Sequence, residues 1–131
     1  MVRPVTGTRQ AAQAVVEAAL TSVLCVSLLL LVVSAGWWAH AQNVVAAATR
    51  DGARVASALG GSTADGVDVA NQLLVAGLGV GAGRVQVTPD EDADSVTISA
   101  TGSWPLAAGL GVELDLPLGA TSRMLKDQWQ P

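Results

Sequence analysis

Residues 18–39 read AALTSVLCVSLLLLVVSAGWWA and contain no charged side chain. As an α-helix, about 22 residues at a rise of 1.5 Å cover about 33 Å, enough to cross a hydrocarbon core of about 30 Å. In lipid the backbone must satisfy its own hydrogen bonds, so an isolated span is helical. Residues 28–33, LLLLVV, are the greasiest part, and Trp37 and Trp38 close the run where amphipathic rings favour the headgroup layer. Arg3 and Arg9 precede it, with no acidic residue before Glu17. By the positive-inside tendency, the amino terminus is cytoplasmic and the chain after His40 is extracytoplasmic.

Two processing alternatives compete with a permanent anchor. Residues 39–41, AHA, offer a cleavage site that would release a secreted domain starting at Gln42. Signal-peptide apolar cores run to about 7–15 residues, and this one is longer. A lipoprotein signal at Cys25 would need a small residue before the cysteine, where Leu24 stands. Cys25 reads as an inert thiol within the membrane. As the sole cysteine it excludes an internal disulfide.

Beyond the run, residues 40–59, HAQNVVAAATRDGARVASAL, continue without proline. Val44, Val45, Ala48, Val55 and Leu59 recur at near-helical spacing, with Gln42, Thr49, Arg50 and Arg54 toward water. Gly36 and Gly52 are soft points, and Gly60-Gly61 ends the rod. Ser62 or Thr63 then caps a second helix over residues 62–78, with Val67, Ala70, Leu74 and Leu78 as its buried stripe and Asp65 in its first turn. GVGAG, residues 79–83, reads as a flexible break; no lysine or hydroxyl follows as a phosphate-binding loop requires.

Strand periodicity follows. Val85 and Val87 alternate with Arg84, Gln86 and Thr88; Val96, Ile98 and Ala100 alternate with Thr97, Ser99 and Thr101. Pro89 and the acidic stretch after it form the connection. Val112, Leu114 and Leu116 alternate with Glu113 and Asp115 in a further strand, and a last extended piece covers residues 120–125. A sheet over residues 84–125 with one apolar face needs a helix laid on it. The fold class expected is α+β: a long helix, transmembrane and then amphipathic, a short second helix, and a small antiparallel sheet packed on helix. The boundaries expected are a leader over residues 1–12, a span over 13–39 and an extracytoplasmic domain over 40–131.

Composition and charge narrow the function. The chain has 131 residues, no Phe or Tyr, and a net charge of −4, which argues against a nucleic-acid partner. Asp90, Asp92 and Asp94, with Glu91 among them, stand at a spacing that suits Ca²⁺, but the glycine and distal glutamate of a full EF-hand loop are missing. The alternative is a solvated turn that keeps a sheet edge from pairing with other chains. His40, the only histidine, reads as an interfacial residue. No Ser/His/Asp set or metal cluster is visible, so neither an enzyme nor a cofactor is expected.

Glu17 has two readings. It occupies the first turn of a helix, stabilised by the dipole and reaching back to the headgroups, or it meets a cation from a neighbouring subunit. Two segments bear on the choice: AQAVVEAAL, residues 12–20, before the apolar run, and TRDGARVAS, residues 49–57, beyond it. The pair resembles the TadE-like family, minor pseudopilins of the tight-adherence (Flp) pilus system. Its pattern is Gly-x-x-x-x-Glu-Phe/Leu-Ala before the membrane helix and an Arg-Asp-Gly-Ala-Arg-like signature after it. The second element is matched by Arg50, Asp51, Gly52, Ala53 and Arg54. The resemblance covers about residues 9–59 and implies cleavage by a prepilin-type peptidase between Ala12 and Gln13. Glu17 would then be the fifth residue of the mature chain, meeting a neighbour's new amine and setting axial register. It also implies other pilin or pseudopilin subunits, pilus-assembly membrane proteins and membrane lipid as partners. Ala12 stands where the family has glycine, Ala18 follows Glu17 in place of a bulky apolar residue, and the proline often found early in the span is absent. The alternative outside this class is an anchored extracytoplasmic binding module that uses the acidic loop or the sheet face.

Overall fold

The computed structural model describes residues 6–106 and 114–126. Helix α1, Thr6–Ser57, is a single unbroken element of 52 residues. Alanine, leucine and valine dominate it, and no proline interrupts its hydrogen-bond ladder. Gly36 and Gly52, expected as soft points, both lie inside the continuous helix. The hydroxyls of Thr21, Ser22 and Ser27 each donate to the carbonyl four residues back, at 2.8 Å, so none is unsatisfied where water is absent. The helix stops at Ser57, short of the expected residue 59. Gly60 supplies the reversal with φ of +79°, a left-handed conformation that costs a Cβ-bearing residue energy. Leu59, expected in the buried stripe, therefore falls in the turn and is exposed.

Helix α2, Thr63–Leu78, begins as anticipated at Ser62. The Ser62 hydroxyl accepts from the Asp65 N–H at 3.2 Å, and the Asp65 carboxylate accepts from the Ser62 N–H at 3.2 Å and from its hydroxyl at 2.6 Å. This reciprocal capping box satisfies donors that would otherwise be orphaned. The inner face of α2 is Gly66, Ala70 and Leu74. Residues 79–83 do not form a loose break. Gly79–Arg84 is a 3-10 helix that leads directly into the sheet, and a Cβ on Gly81 would meet the Trp104 ring.

The sheet has three antiparallel strands in the order β1-β2-β3: β1 Val85–Glu91, β2 Ser95–Leu106 and β3 Leu114–Leu125. The register places Val87 opposite Ala100 and Ala100 opposite Ala120. Pro89, expected in the connection, sits within β1 opposite Ile98, as do Asp90 opposite Thr97 and Glu91 opposite Val96. β1 is an edge strand, so the N–H that proline lacks faces no partner. The turn shrinks to residues 92–94. The two extended pieces expected after residue 111 merge into the single β3; Val112 and Glu113 lie outside the described residues.

One face of the sheet packs beneath the two helices. Val96, Ile98 and Ala100 of β2, Val85 of β1 and Leu118 of β3 meet Ala41, Val45, Ala48, Ala70 and Leu74 from the helices. The core is assembled from small residues, so the layers approach closely. Burial of a side chain such as Leu74 or Ile98 contributes about 1.5–3 kcal/mol. Thr49, expected toward water, is buried instead; its hydroxyl donates within the helix, lying 3.1 Å from the Val45 and Ala46 carbonyls. The opposite face is polar, with Thr88, Ser99 and Thr121 on one rung and the last two hydroxyls 3.2 Å apart.

Three contacts fix how β3 runs along α1. The Trp38 indole N–H donates to the Pro117 carbonyl at 3.3 Å. The Gln42 amide donates to the Gly119 carbonyl at 2.7 Å and accepts from the Gly119 N–H at 3.3 Å. Ser57 Oγ lies 3.9 Å from Met124 Sδ. Strand and helix therefore ascend together. Gln42 occupies both polar groups of Gly119, and Pro117 offers no N–H, so this part of the β3 edge has no free donor for another strand.

Candidate functional site

The processing, assembly and family-motif residues singled out in the sequence lie on α1, in two groups far apart along it, while Asp90, Asp92 and Asp94 lie on β1 and the turn after it. α1 begins at Thr6, so Ala12, Gln13 and Glu17 all stand beyond its first turn and are exposed, and Glu17 does not hold the first-turn position that the dipole reading requires. Gln13 and Glu17 are four apart and share a helix face. Glu17 makes no ion pair among the described residues. Thr21 donates its hydroxyl to the Glu17 backbone carbonyl, a contact that does not involve the carboxylate. From there the apolar side chains project outward with no cover from the rest of the chain: Leu20, Leu24, Leu28 and Leu31 are all exposed. Cys25 is a free thiol on the same stretch.

About 50 Å farther along the helix, at 1.5 Å per residue, comes the second group. Here the motif divides by face. Thr49, Gly52, Ala53 and Ala56 are buried, while Arg50, Asp51 and Arg54 are exposed. Gly52 is the point of closest approach to α2: a Cβ there would lie 2.7 Å from the Gly66 carbonyl oxygen and 3.1 Å from Ala70 Cβ. The approach is reciprocal, since a Cβ on Gly66 would lie 2.6 Å from the Gly52 carbonyl oxygen and 2.7 Å from Ala56 Cβ. Two small-x-x-x-small pairs, Gly52 with Ala56 and Gly66 with Ala70, thus interlock where i and i+4 share a face. Arg50 and Arg54 stand on the outer side, with no ion pair to either among the described residues.

Sequence reasoning identified the motif but missed Gly66, its structural counterpart. The signal was available in the matching four-residue spacing of small side chains on both helices. The clamp of Trp38 and Gln42 on β3 was also missed, because nothing local to either residue announces a partner in a distant strand.

His40 and Trp37 meet edge to face, ring centroids 6.0 Å apart at 87°. Both lie where the apolar run gives way to the clamped part of the helix. At the other end of the domain the acidic residues face cations at and just past the end of β3. Glu91 pairs with Lys126 at 2.7 Å and Asp92 with Arg123 at 3.6 Å, while Asp90 projects from β1 and is exposed. Among the described residues no group of three or more His, Cys, Asp or Glu is gathered to hold a metal ion.

A small α+β domain borne on a helix long and apolar enough to cross a membrane, whose apolar stretch is exposed, fits a membrane-anchored protein. The anchor carries a recognisable sequence as well: residues 12–54 match the TadE-like protein family, from Ala12 through Glu17 and the apolar run to Arg54. The matched stretch takes in most of both motifs, and it lies wholly within α1. No curated protein and no solved structure matches the chain.

Proposed function

We propose that this chain is a single-pass, pseudopilin-like component of Tad (Flp)-type pilus assembly at the cytoplasmic membrane. Residues 1–12 form a cytoplasmic leader, residues 13–39 the span, and residues 40–131 the extracytoplasmic domain. The observation that carries the reading is the single helix joining both matched motifs: Glu17, toward one end, has no ion pair among the described residues, and the Gly52 face is locked into a folded domain at the other. An unpaired carboxylate at the edge of a lipid-crossing helix is costly unless a cation meets it. A prepilin-type peptidase cutting between Ala12 and Gln13 would create an amine on each copy or relative, and Glu17 of a neighbour would take it up. Lateral packing then acquires a fixed axial register, because a charge pair in lipid tolerates little displacement. Other pilin or pseudopilin subunits and pilus-assembly membrane proteins are the partners this chemistry suits.

Two measurements test the proposal. Intact mass of the membrane form is expected to begin at Gln13; a chain beginning at Gln42 would instead make it a released domain. In Glu17→Gln the crosslinks between this helix and its pilus partners are expected to fall sharply. Unchanged crosslinking would remove the register role of the carboxylate.

A further inference from the structure

We infer that the extracytoplasmic domain rests on the bilayer through an apolar rim at one end of its sheet, making a second lipid contact beside the helix. The inference rests on the single-span reading above.

The geometry begins at Trp38. Its indole is held on Pro117, and β3 ascends with α1 from there through Gly119 and Met124. In the other direction the strand descends past Trp38 toward the apolar run. Leu114 is three residues below Pro117, about 10 Å along the strand at 3.3 Å per residue. Leu106 lies opposite Leu114, and Trp104 opposite Leu116. If Trp37 and Trp38 mark the headgroup layer, these strand ends stand at or below it.

Side-chain alternation determines what this end presents. Residues 96, 98 and 100 of β2 point to the helices, so Trp104 and Leu106 share that face; on β3, Leu114 and Leu116 share it with buried Leu118. Cover thins along this row: Leu118 is 2% exposed, Leu116 half-buried and Leu114 55% exposed. Beside it, the 3-10 helix packs Gly81 on Trp104 and leaves Val80 fully open to the surroundings, at 103%. Trp37, on the helix, is also exposed.

Charge favours lipid as the occupant. Asp90, Glu91, Asp92 and Asp94 all sit at the opposite end of the sheet, around the β1–β2 turn. At the rim end Arg84 is exposed and suits an anionic headgroup. Asp115, also exposed there, alternates onto the face turned away from the helices. A surface of Val, Leu and Trp continuous with a membrane-crossing helix, flanked by an arginine, is suited to the headgroup and acyl boundary.

The test uses the full chain in phosphatidylethanolamine–phosphatidylglycerol vesicles, in a Cys25→Ser background, with an environment-sensitive fluorophore on single cysteines. Val80→Cys and Leu114→Cys report on the rim, Leu29→Cys on the span, Trp37→Cys on the interface and Asp90→Cys on the far end. Val80 and Leu114 are exposed, so labelling leaves the core intact. The expected result is blue-shifted emission from Val80→Cys and Leu114→Cys, with quenching by headgroup-proximal spin-labelled lipid to the extent seen for Trp37→Cys, while Asp90→Cys stays unquenched. Quenching at Leu29→Cys by lipid spin-labelled deep in the acyl chain, with rim labels behaving like Asp90→Cys, would overturn the rim alone. No quenching at Leu29→Cys would overturn the single-span reading and the rim with it. A blue shift without lipid quenching that grows with the protein-to-lipid ratio would assign the rim to a second copy and overturn the proposal.

Discussion

Gly52→Ala probes the contact that joins the long helix α1 to the folded domain. The added methyl would stand 2.7 Å from the Gly66 carbonyl oxygen and 3.1 Å from Ala70 Cβ, against an ordinary carbon contact of about 3.5–4.0 Å. The nearest obstacle is backbone, so no side chain can swing away, and α2 itself must retreat. Overpacking of this kind costs about 1–3 kcal/mol, while alanine returns up to about 1 kcal/mol of helix propensity. The expected net loss is about 1–2 kcal/mol, which lowers the melting temperature by about 5–15 °C in a domain of this size. Thermal unfolding of the full chain in detergent, followed by tryptophan fluorescence, reads the change, since Trp38 and Trp104 both sit at packing contacts. Gly36→Ala is the control: nothing lies within 4 Å of its Cβ position, so only the propensity gain remains. Because Gly52 and Gly66 separate the same helices, Gly52→Ala combined with Gly66→Ala is expected to cost less than the sum of the two. A Gly52→Ala protein that melts at or above the parent temperature would refute the close-approach argument.

Ser62→Ala removes the hydroxyl half of the α2 capping box and is expected to cost about 1 kcal/mol, read in the same melt. Gly60→Ala forces a Cβ into a φ of +79° with no clash nearby, so its expected cost of about 1–2 kcal/mol is purely conformational. Gln42→Ala frees both polar groups of Gly119; hydrogen exchange at that amide is expected to accelerate, with a stability loss of about 1–3 kcal/mol. The Arg123–Asp92 pair, with side chains 66% and 65% exposed, is expected to contribute under about 1 kcal/mol in a double-mutant cycle.

Patterns with a strict local period were legible in the sequence. Val96, Ile98 and Ala100 face the core because alternation leaves a strand no other choice. Ser62 begins α2 because a hydroxyl followed by Asp65 answers the unpaired N–H groups of a first turn. The uncharged run announced a helix by composition alone. Misreadings arose where tertiary context overrode local preference. Pro89 marks a turn in isolation, yet at an edge strand its missing N–H is harmless. Thr49 was set toward water by its hydroxyl, but that group bonds within the helix and its methyl can enter a core. The glycines of residues 79–83 suggested looseness, whereas the Trp104 ring requires a small residue at Gly81. For the candidate site, Glu17 and the Arg50–Arg54 motif were visible as sequence, while the partition of that motif into a packed face and an open one depended on where α2 lands.

The unbroken course of α1 also has a mechanical consequence. From Gln13 to Ser57 the axis is about 65 Å of continuous helical rise with no proline to act as a hinge. Tension or torque applied to the amino-terminal end is delivered to the Gly52–Gly66 contact, where the helix is geared to its neighbour by backbone rather than by pliable side chains. The element behaves as a stiff strut: a tug on one end moves the folded head at the other as a single piece.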